Sequence, residues 1–215
     1  MRIINVMAAS LDGKIAGHHL ESDQERRNYG FTNKADQDFV RHQLTMADAV
    51  VTGANSLRAS QGAWQVVNHK GRLATWVVLT RSGLDPDLRF WSQTEVDKWI
   101  VTPDPNLVIP TGARNRLIVT PPAVNPATLV AKDLKDAGFE RVLLFGGGHV
   151  NRMFYDAGLV DELCLTLCPL MLGTPDASSL LAPPLSHPVF FRLETSNRSG
   201  DLLFLNYTVH KAPQM

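Results

Sequence analysis

Arg141-Val142-Leu143-Leu144-Phe145-Gly146-Gly147-Gly148 decides the fold, because a compact apolar run passes directly into a glycine turn. From His149 to Ala157 the pattern becomes helical, and Gly158 stops it. Strand, glycine turn and helix in immediate succession are the local pattern of a parallel sheet with helices on its faces. Such a turn carries no side chain to block a phosphate, and it aims backbone N–H groups and the positive helix end outward. A single glycine satisfies a tight turn at positive φ, so three in a row predict close approach of a ligand.

The same alternation extends outward from this unit. Ile3 to Ala9 reads as a first strand, followed by a polar loop from Asp12 to Tyr29 long enough to serve as a lid. Asn33 and Asp36 offer a capping pattern for a helix carrying Phe39, Val40, Leu44 and Ala47 at helical spacing. Ala49 to Thr52 is the next strand, and Gly53 lets the chain turn tightly before a helix opening at Asn55 or Ser56. Leu73 to Thr80, Lys98 to Thr102 and Arg116 to Thr120 read as further strands, the last two inside a proline-rich middle. Asn125-Pro126 caps a helix through Leu129, Val130 and Leu134 that Gly138 ends. Beyond the glycine run, Glu162 to Leu170, Phe190 to Leu193 and Leu202 to Val209 are strands with no long helix between them, which predicts an antiparallel C-terminal extension. The expected fold class is α/β, a mostly parallel central sheet flanked by helices, in one domain spanning 1–215.

Charge and composition narrow the partners. Lys plus Arg equals Asp plus Glu at 21 each, so no net field draws the chain to nucleic acid or an anionic membrane, and a small-molecule partner is expected. Met1 to Leu11 has the basic residue and apolar stretch of a short signal peptide, but Asn5 interrupts it and Asp12 ends it. A buried strand explains it better, no run is long enough to span a membrane, and a cytoplasmic setting follows. Cys164 and Cys168 lie four apart in an apolar strand, as buried thiols on one face. None of the seven histidines pairs with a cysteine at ligand spacing, so no metal is expected.

Three further segments carry candidate chemistry. In Gly53-Ala54-Asn55-Ser56 a hydroxyl or amide at a helix start either caps the helix or donates to a phosphate. Thr80-Arg81-Ser82 places a cation and two hydroxyls at a strand end, either as a solvated turn or where an adenosine ribose would lie. An acidic residue there would favour NAD, whereas Arg81 suits the 2′-phosphate of NADPH. Ser10-Leu11-Asp12-Gly13-Lys14-Ile15-Ala16 sets a carboxylate and an ammonium just past the first strand, at the ligand edge of an α/β sheet or as a surface ion pair.

In their order and spacing these segments resemble the reductase domain of riboflavin biosynthesis, a pyrimidine reductase family with a dihydrofolate-reductase-like fold. The marks are Ser10 to Ala16, Asp48 to Gly53 with Ser56 and Arg58, Val142 to Gly148, Gly158 to Leu163, and Pro169-Leu170-Met171-Leu172-Gly173. The resemblance implies hydride transfer from NADPH to the ribosylamino carbon of a phosphorylated aminopyrimidine such as 5-amino-6-(5-phosphoribosylamino)uracil. It implies Asp12 and Lys14 as catalytic groups and Asn33, Arg58, Trp64 and Phe145 on the substrate side. It implies Ala8, Gly53, Ser56, Thr80, Arg81, Ser82, Gly146, Gly147, Gly148, His149 and Val150 around the cofactor. It also implies a homodimer, for which the apolar C-terminal strands could serve.

Two departures from the family fall on the substrate side. Ser60-Gln61-Gly62-Ala63-Trp64 stands where the family carries Asp-Asp-Pro, and Phe145 stands where it has glutamate. A phenyl ring offers apolar area or stacking in place of a hydrogen bond, so another heterocycle such as a pterin is the alternative substrate. A non-catalytic protein that kept only the cofactor cleft is the alternative of another class.

Overall fold

The structure, a computed structural model, describes residues 1–210; the last five residues of the expected domain lie outside the described residues. Its centre is β7 (Arg141–Gly146), flanked in parallel by β1 (Arg2–Ser10) and β3 (Ala49–Gly53). With β4 (Thr75–Leu79), β5 (Lys98–Thr102), β6 (Asn115–Val119), β8 (Glu162–Cys168), β10 (Phe190–Ser199) and β11 (Leu202–His210), the nine-stranded order is β10-β11-β8-β1-β7-β3-β4-β5-β6, and β4, β5 and β6 continue in parallel.

The alternation of side chains along these strands divides the core in two. Val142, Leu144, Ile3 and Val51 pack with α5 (Pro126–Asp136) and α6 (Gly148–Asp156) on one face. Leu143, Ile4 and Val50 pack on the other with Leu44 of α2 (Lys34–Thr45) and Leu57 of α3 (Ala54–Ser60). A sheet covered on both faces needs continuous apolar runs rather than alternating ones, which is what β3 and β7 supply. Asn5, the polar interruption of the first strand, is fully buried and fully used. Its Nδ2 donates to Leu144 O at 2.8 Å and to Asn151 Oδ1 at 3.1 Å, and Tyr155 Oη donates to its Oδ1 at 3.1 Å. This network ties β1, β7 and α6 together beneath the glycine turn.

The helix caps follow the sequence closely. Asn33 Oδ1 accepts from the N–H groups of Ala35 and Asp36, and Asn125 Oδ1 accepts from Ala127 N with Pro126 at the first helical position. Gly138, at φ +78°, closes α5.

Several expectations need correction. The segment Asp12 to Tyr29 is not a free loop: it contains β2 (Lys14–Ala16), paired with β9 (Ser178–Ser179), and α1 (Asp23–Asn28). Ser22 and Glu25 form a reciprocal capping box that starts α1, a pattern visible in the sequence but outweighed by the segment's polarity. β8 (Glu162–Cys168) pairs parallel with β1, because α6 provides the crossover from β7. The antiparallel C-terminal extension itself is as expected, with β11 (Leu202–His210) pairing antiparallel with both β8 and β10 (Phe190–Ser199). A four-residue α4 (Arg89–Ser92) interrupts the proline-rich middle.

Candidate functional site

The parallel strands end together on one cavity of about 940 Å³. It runs from Thr166 on β8, past Ala8, Phe145, Thr52 and Leu79, to Thr120 just beyond β6. Neighbouring strands stand about 4.8 Å apart, so the edge from β8 to β6 is roughly 29 Å long. A cleft of that extent outside the carboxyl ends of parallel strands suits an elongated ligand with room for a second.

At its centre lies the turn from β7 into α6. Gly147 and Gly148 line the cavity together with His149 and Val150, and Gly147 contributes no side chain to cap the helix. The first-turn N–H groups of α6 have no acceptor within the helix, and they present partial positive charge. The glycines nevertheless answer to the protein itself. A Cβ on Gly146, at φ +63°, would stand 2.1 Å from Asn151 Oδ1, and one on Gly148 would stand 2.5 Å from Ser179 O. Packing of the turn against Asn151 and Ser179 therefore gives two of the three glycines a structural reason as well, one that the run alone does not reveal. Gly146 is not part of the cavity lining.

Gly53 likewise has an ordinary φ of −89°, so tight turning is not its role. An added Cβ would meet Val150 Cγ2 at 3.1 Å, which places α6 close against β3. Helix α3 begins at Ala54 without a side-chain cap, and Ser56 Oγ donates instead to Gly146 O at 3.4 Å.

Toward β6 the lining holds Thr80, Arg81 and Ser82. Thr80 Oγ1 donates to Gly83 O at 2.8 Å, and Arg58 Nη2 donates to the same carbonyl at 2.7 Å. Arg58, expected on the substrate side, thus also locks the turn that carries Arg81. Arg81 itself is exposed and has no ion-pair partner among the described residues. Trp76 Nε1 and Thr120 Oγ1 are buried without a hydrogen-bond partner, and both residues line this cavity. Unpartnered buried polar atoms at a cavity wall are what a bound polar ligand can satisfy.

Toward β8 the wall is formed by the segment between β1 and α2 and by the first turns of α2. Ile15, His18, His19, Glu21, Asp23, Arg26 and Arg27 line it, with Asp36, Gln37 and Val40 beside them. Trp64 lies in the wall with the Arg41 guanidinium 5.2 Å from its ring, and Phe145 stands edge-on to Trp76 at 6.1 Å. Asp36 is 6% exposed, and burial pushes its carboxyl above the usual range despite a hydrogen bond from Thr166. Cys164 and Cys168 are free and buried, and burial raises the Cys168 thiol to about 12.

Asp12, Lys14 and Asn33 do not line the cavity. The Asp12 carboxylate accepts from Ser10 Oγ and from the N–H groups of Leu172 and Gly173, and these bonds hold it at about 2. Lys14 Nζ donates to Ser179 Oγ at 3.1 Å, and Ser179 is a lining residue. Asn33 is occupied as the α2 cap. The sequence motifs do not point to Asp36, Thr166, Ser178, Ser179, Ala182 or Pro183, all of which line the cavity. Asp36 could have been found from its spacing: it shares the helix stripe of Val40, Gln43 and Leu44, where a carboxylate is costly unless used.

Comparison with known proteins agrees with this architecture. A family model described as the RibD C-terminal domain matches residues 2–203. A 2,5-diamino-6-ribosylamino-4(3H)-pyrimidinone 5′-phosphate reductase from Methanothermobacter thermautotrophicus is 31% identical over 85 residues, 38% of this chain and 39% of that protein. A pyrimidine reductase-like protein from Corynebacterium diphtheriae superposes with a TM-score of 0.78 at 21% identity, covering 98% of this chain and 92% of that one. Dihydrofolate reductase from Enterococcus faecalis, solved with NADP(H), superposes with a TM-score of 0.59 at 12% identity, covering 98% of this chain and 97% of that one. The expected dihydrofolate-reductase-like α/β fold is therefore the observed one.

Proposed function

The chain belongs to the RibD C-terminal domain family, and from that membership we propose that it is an NADPH-dependent reductase of a phosphorylated ribosylaminopyrimidine. The observation that carries this reading is the cavity along the sheet edge, with the α6 N-terminus at its centre and, toward β6, Arg81, which has no ion-pair partner among the described residues.

The cofactor's place follows from the donors. The first turn of α6 faces its pyrophosphate, Ser56 flanks the turn, and Arg81 with Thr80 and Ser82 takes the 2′-phosphate. Trp76 Nε1 and Thr120 Oγ1 gain the partners they lack. When bound, NADPH supplies the hydride for the substrate's ribosylamino carbon. The protein's contribution is alignment and exclusion of water: Ala8, Phe145 and Trp64 form apolar wall, and the segment from Ile15 to Arg27 covers the β8 side. Lys14 acts through Ser179, and Asp12 through the chain at 172–173, as positioning residues at the cavity rim.

We also infer a homodimer, since β10 is a long edge strand on which Phe190 and Leu193 are exposed. A cytoplasmic setting fits two free buried thiols. Sedimentation should give twice the chain mass.

Cofactor titration tests the main reading. NADPH should bind more tightly than NADH, and Arg81→Gln should erase about tenfold of that preference, a loss of roughly 1.4 kcal/mol. Equal affinity of the unaltered protein for both dinucleotides would remove Arg81 from its role. Tight NADPH binding with no oxidation by any ribosylaminopyrimidine would point instead to a binding protein.

A further inference from the structure

The wall toward β8 is joined to α3 at His19. The segment between β2 and α1 carries this residue to Asn55, whose Nδ2 lies 3.1 Å from His19 Nε2, and both residues line the cavity. The neighbouring Leu20 reaches further, into a smaller recess of about 370 Å³ shared with Arg58, Gln61, Asp85, Asp87 and Leu88. Residues 18–20 thus form a strap from the side assigned to the substrate to the side assigned to the cofactor.

Donor chemistry fixes the direction of the His19 contact. A guanidinium only donates, so Arg58 Nη1, at 2.7 Å, identifies the oxygen end of the Asn55 amide. Asn55 Nδ2 is therefore the donor, and His19 Nε2 must accept with a bare lone pair. Arg58 is held in turn, because its Nη2 donates at 2.7 Å to Gly83 O, which also accepts from the Thr80 hydroxyl. Hydrogen bonds thus run from the strap through Asn55 and Arg58 to the turn that carries Arg81. A proton on His19 Nε2 reverses the fit: it sets N–H against N–H and brings a second cation toward Arg58. The other charged groups around the strap have partners of their own. His18 faces Glu25 of α1 at 3.7 Å, Glu21 accepts from Gly17 N and Tyr29 Oη, and Asp23 pairs with Arg26. Asp85 and Asp87 border the recess that takes Leu20, where Asp85 Oδ1 accepts from Asp87 N.

Resting on the reductase reading for what the cavity holds, we propose that the His19–Asn55 contact is a proton-sensitive clasp. It keeps residues 18–20 across the cavity while His19 is neutral, and it frees them, and with them the bound dinucleotide, when His19 takes up a proton. Histidine is the side chain that ordinarily changes charge between pH 5 and 8, which sets the two conditions of the test.

Hydrogen exchange is followed in the full ligand-free chain at about pH 5.5 and about pH 8. The reporters are Gly17 N, bonded to Glu21 Oε2, and Glu21 N, bonded to His18 O. Each reading is compared with His19→Gln at the same pH, which cancels the intrinsic acid dependence of exchange. Glutamine offers Asn55 an oxygen that does not titrate. The two proteins should exchange alike at the higher pH, and the unaltered one should exchange about fivefold faster in acid, the scale of one hydrogen bond. Asn55→Asp should invert the sign, since a carboxylate accepts from Arg58 and from protonated His19 together. NADP+ release, followed by tryptophan fluorescence, should show the same pattern. The 2′-phosphate also titrates in this range, and the difference from His19→Gln removes its contribution. Thermal unfolding reports whether each variant is folded. Acid-induced exchange that is equal in His19→Gln, or Asn55→Asp that keeps the original sign, would overturn the clasp. NADP+ release that ignores both substitutions would overturn its hold on the dinucleotide. Absence of NADP+ binding at either pH removes the reductase reading instead, and the exchange result still decides the clasp.

Discussion

Two buried carboxylates hold opposite edges of the same sheet. At the N-terminal edge Asp48, 4% exposed, accepts from the N–H groups of Glu140 and Arg141 at 2.9 and 3.2 Å and pairs with Lys70 at 2.9 Å. At the C-terminal edge Asp36 is buried to nearly the same degree but has a threonine hydroxyl in place of a cation and two amides. Burial pushes both upward, yet Lys70 and the two N–H groups carry Asp48 below the usual carboxylate range while Asp36 stays above it. One edge spends its charge on joining β3 to β7; the other leaves acceptor capacity facing a cavity. Burial alone therefore does not fix which way a carboxyl shifts; the donors and cations around it do.

The largest effect expected from this contrast is at Asp48. Asp48→Asn should cost about 3 kcal/mol at neutral pH, because Lys70 loses its buried partner and one N–H acceptor is weakened. A depressed carboxyl stabilises the fold above its unfolded value near 4, and that contribution fades as pH falls through the lower folded value. Denaturant melts at pH 7 and at pH 3 should therefore show the variant's deficit shrinking in acid. A deficit equal at both values would mean that the charge of Asp48 is not what holds the edge.

This difference also marks what could be read from the sequence. β3 and β7 announce themselves as continuous apolar runs, and Asn125-Pro126 with Gly138 bounds α5, because those signals are local. The parallel placement of β8 is not local: it depends on α6 carrying the chain across, and the absence of helices in the later strands masked it. That the glycine turn and Arg81 lie along the cavity was legible because glycines and an arginine at strand ends are conspicuous. The place of Asp36 in the cavity wall was hidden by its position three residues after a capping asparagine, where an acid reads as part of the cap. Thr166 lies in an otherwise apolar strand, where its hydroxyl gains meaning only from the helix opposite.

Next in size is the glycine turn, which sits on the cavity edge but answers partly to the core. Gly146→Ala combines positive φ with the close approach of Asn151 and should cost roughly 2 kcal/mol or more. Gly147→Ala meets only Ser56 Oγ, at 3.2 Å, and should cost about 1 kcal/mol while weakening NADPH binding at least as strongly. Melting curves with and without NADPH separate these. If Gly147→Ala lost stability like Gly146→Ala yet bound NADPH normally, the turn would belong wholly with the structural edge.

Asp36→Asn should move stability in the opposite sense to Asp48→Asn, with a gain on the order of 1 kcal/mol at neutral pH from relief of desolvation. The sign follows from linkage: a carboxyl raised by folding makes the fold less stable as pH climbs from the unfolded value through the folded one. Arg26, Asp23 and Cys168 act on the same group, and the last stays a neutral thiol throughout that window. The variant should therefore gain on the unaltered protein between pH 4 and neutrality, in about that range. A loss of stability would place Asp36 alongside Asp48 as a structural acid.

The smallest effect is expected at Asp12, the acid most prominent in the sequence. It lies outside the cavity, accepts from Ser10 and from the N–H groups of Leu172 and Gly173, and is held at about 2. Asparagine retains one acceptor oxygen, so Asp12→Asn should lower the melting temperature only slightly and leave NADPH affinity intact. Its contribution above the unfolded value near 4 is lost as pH falls toward about 2. Turnover should drop modestly, through displacement of the chain that Asp12 pins, and the pH profile of the remaining turnover should keep its shape. A change in that profile would mean instead that the Asp12 carboxyl itself exchanges a proton with the substrate, and its assignment as a positioning residue would have to be redrawn.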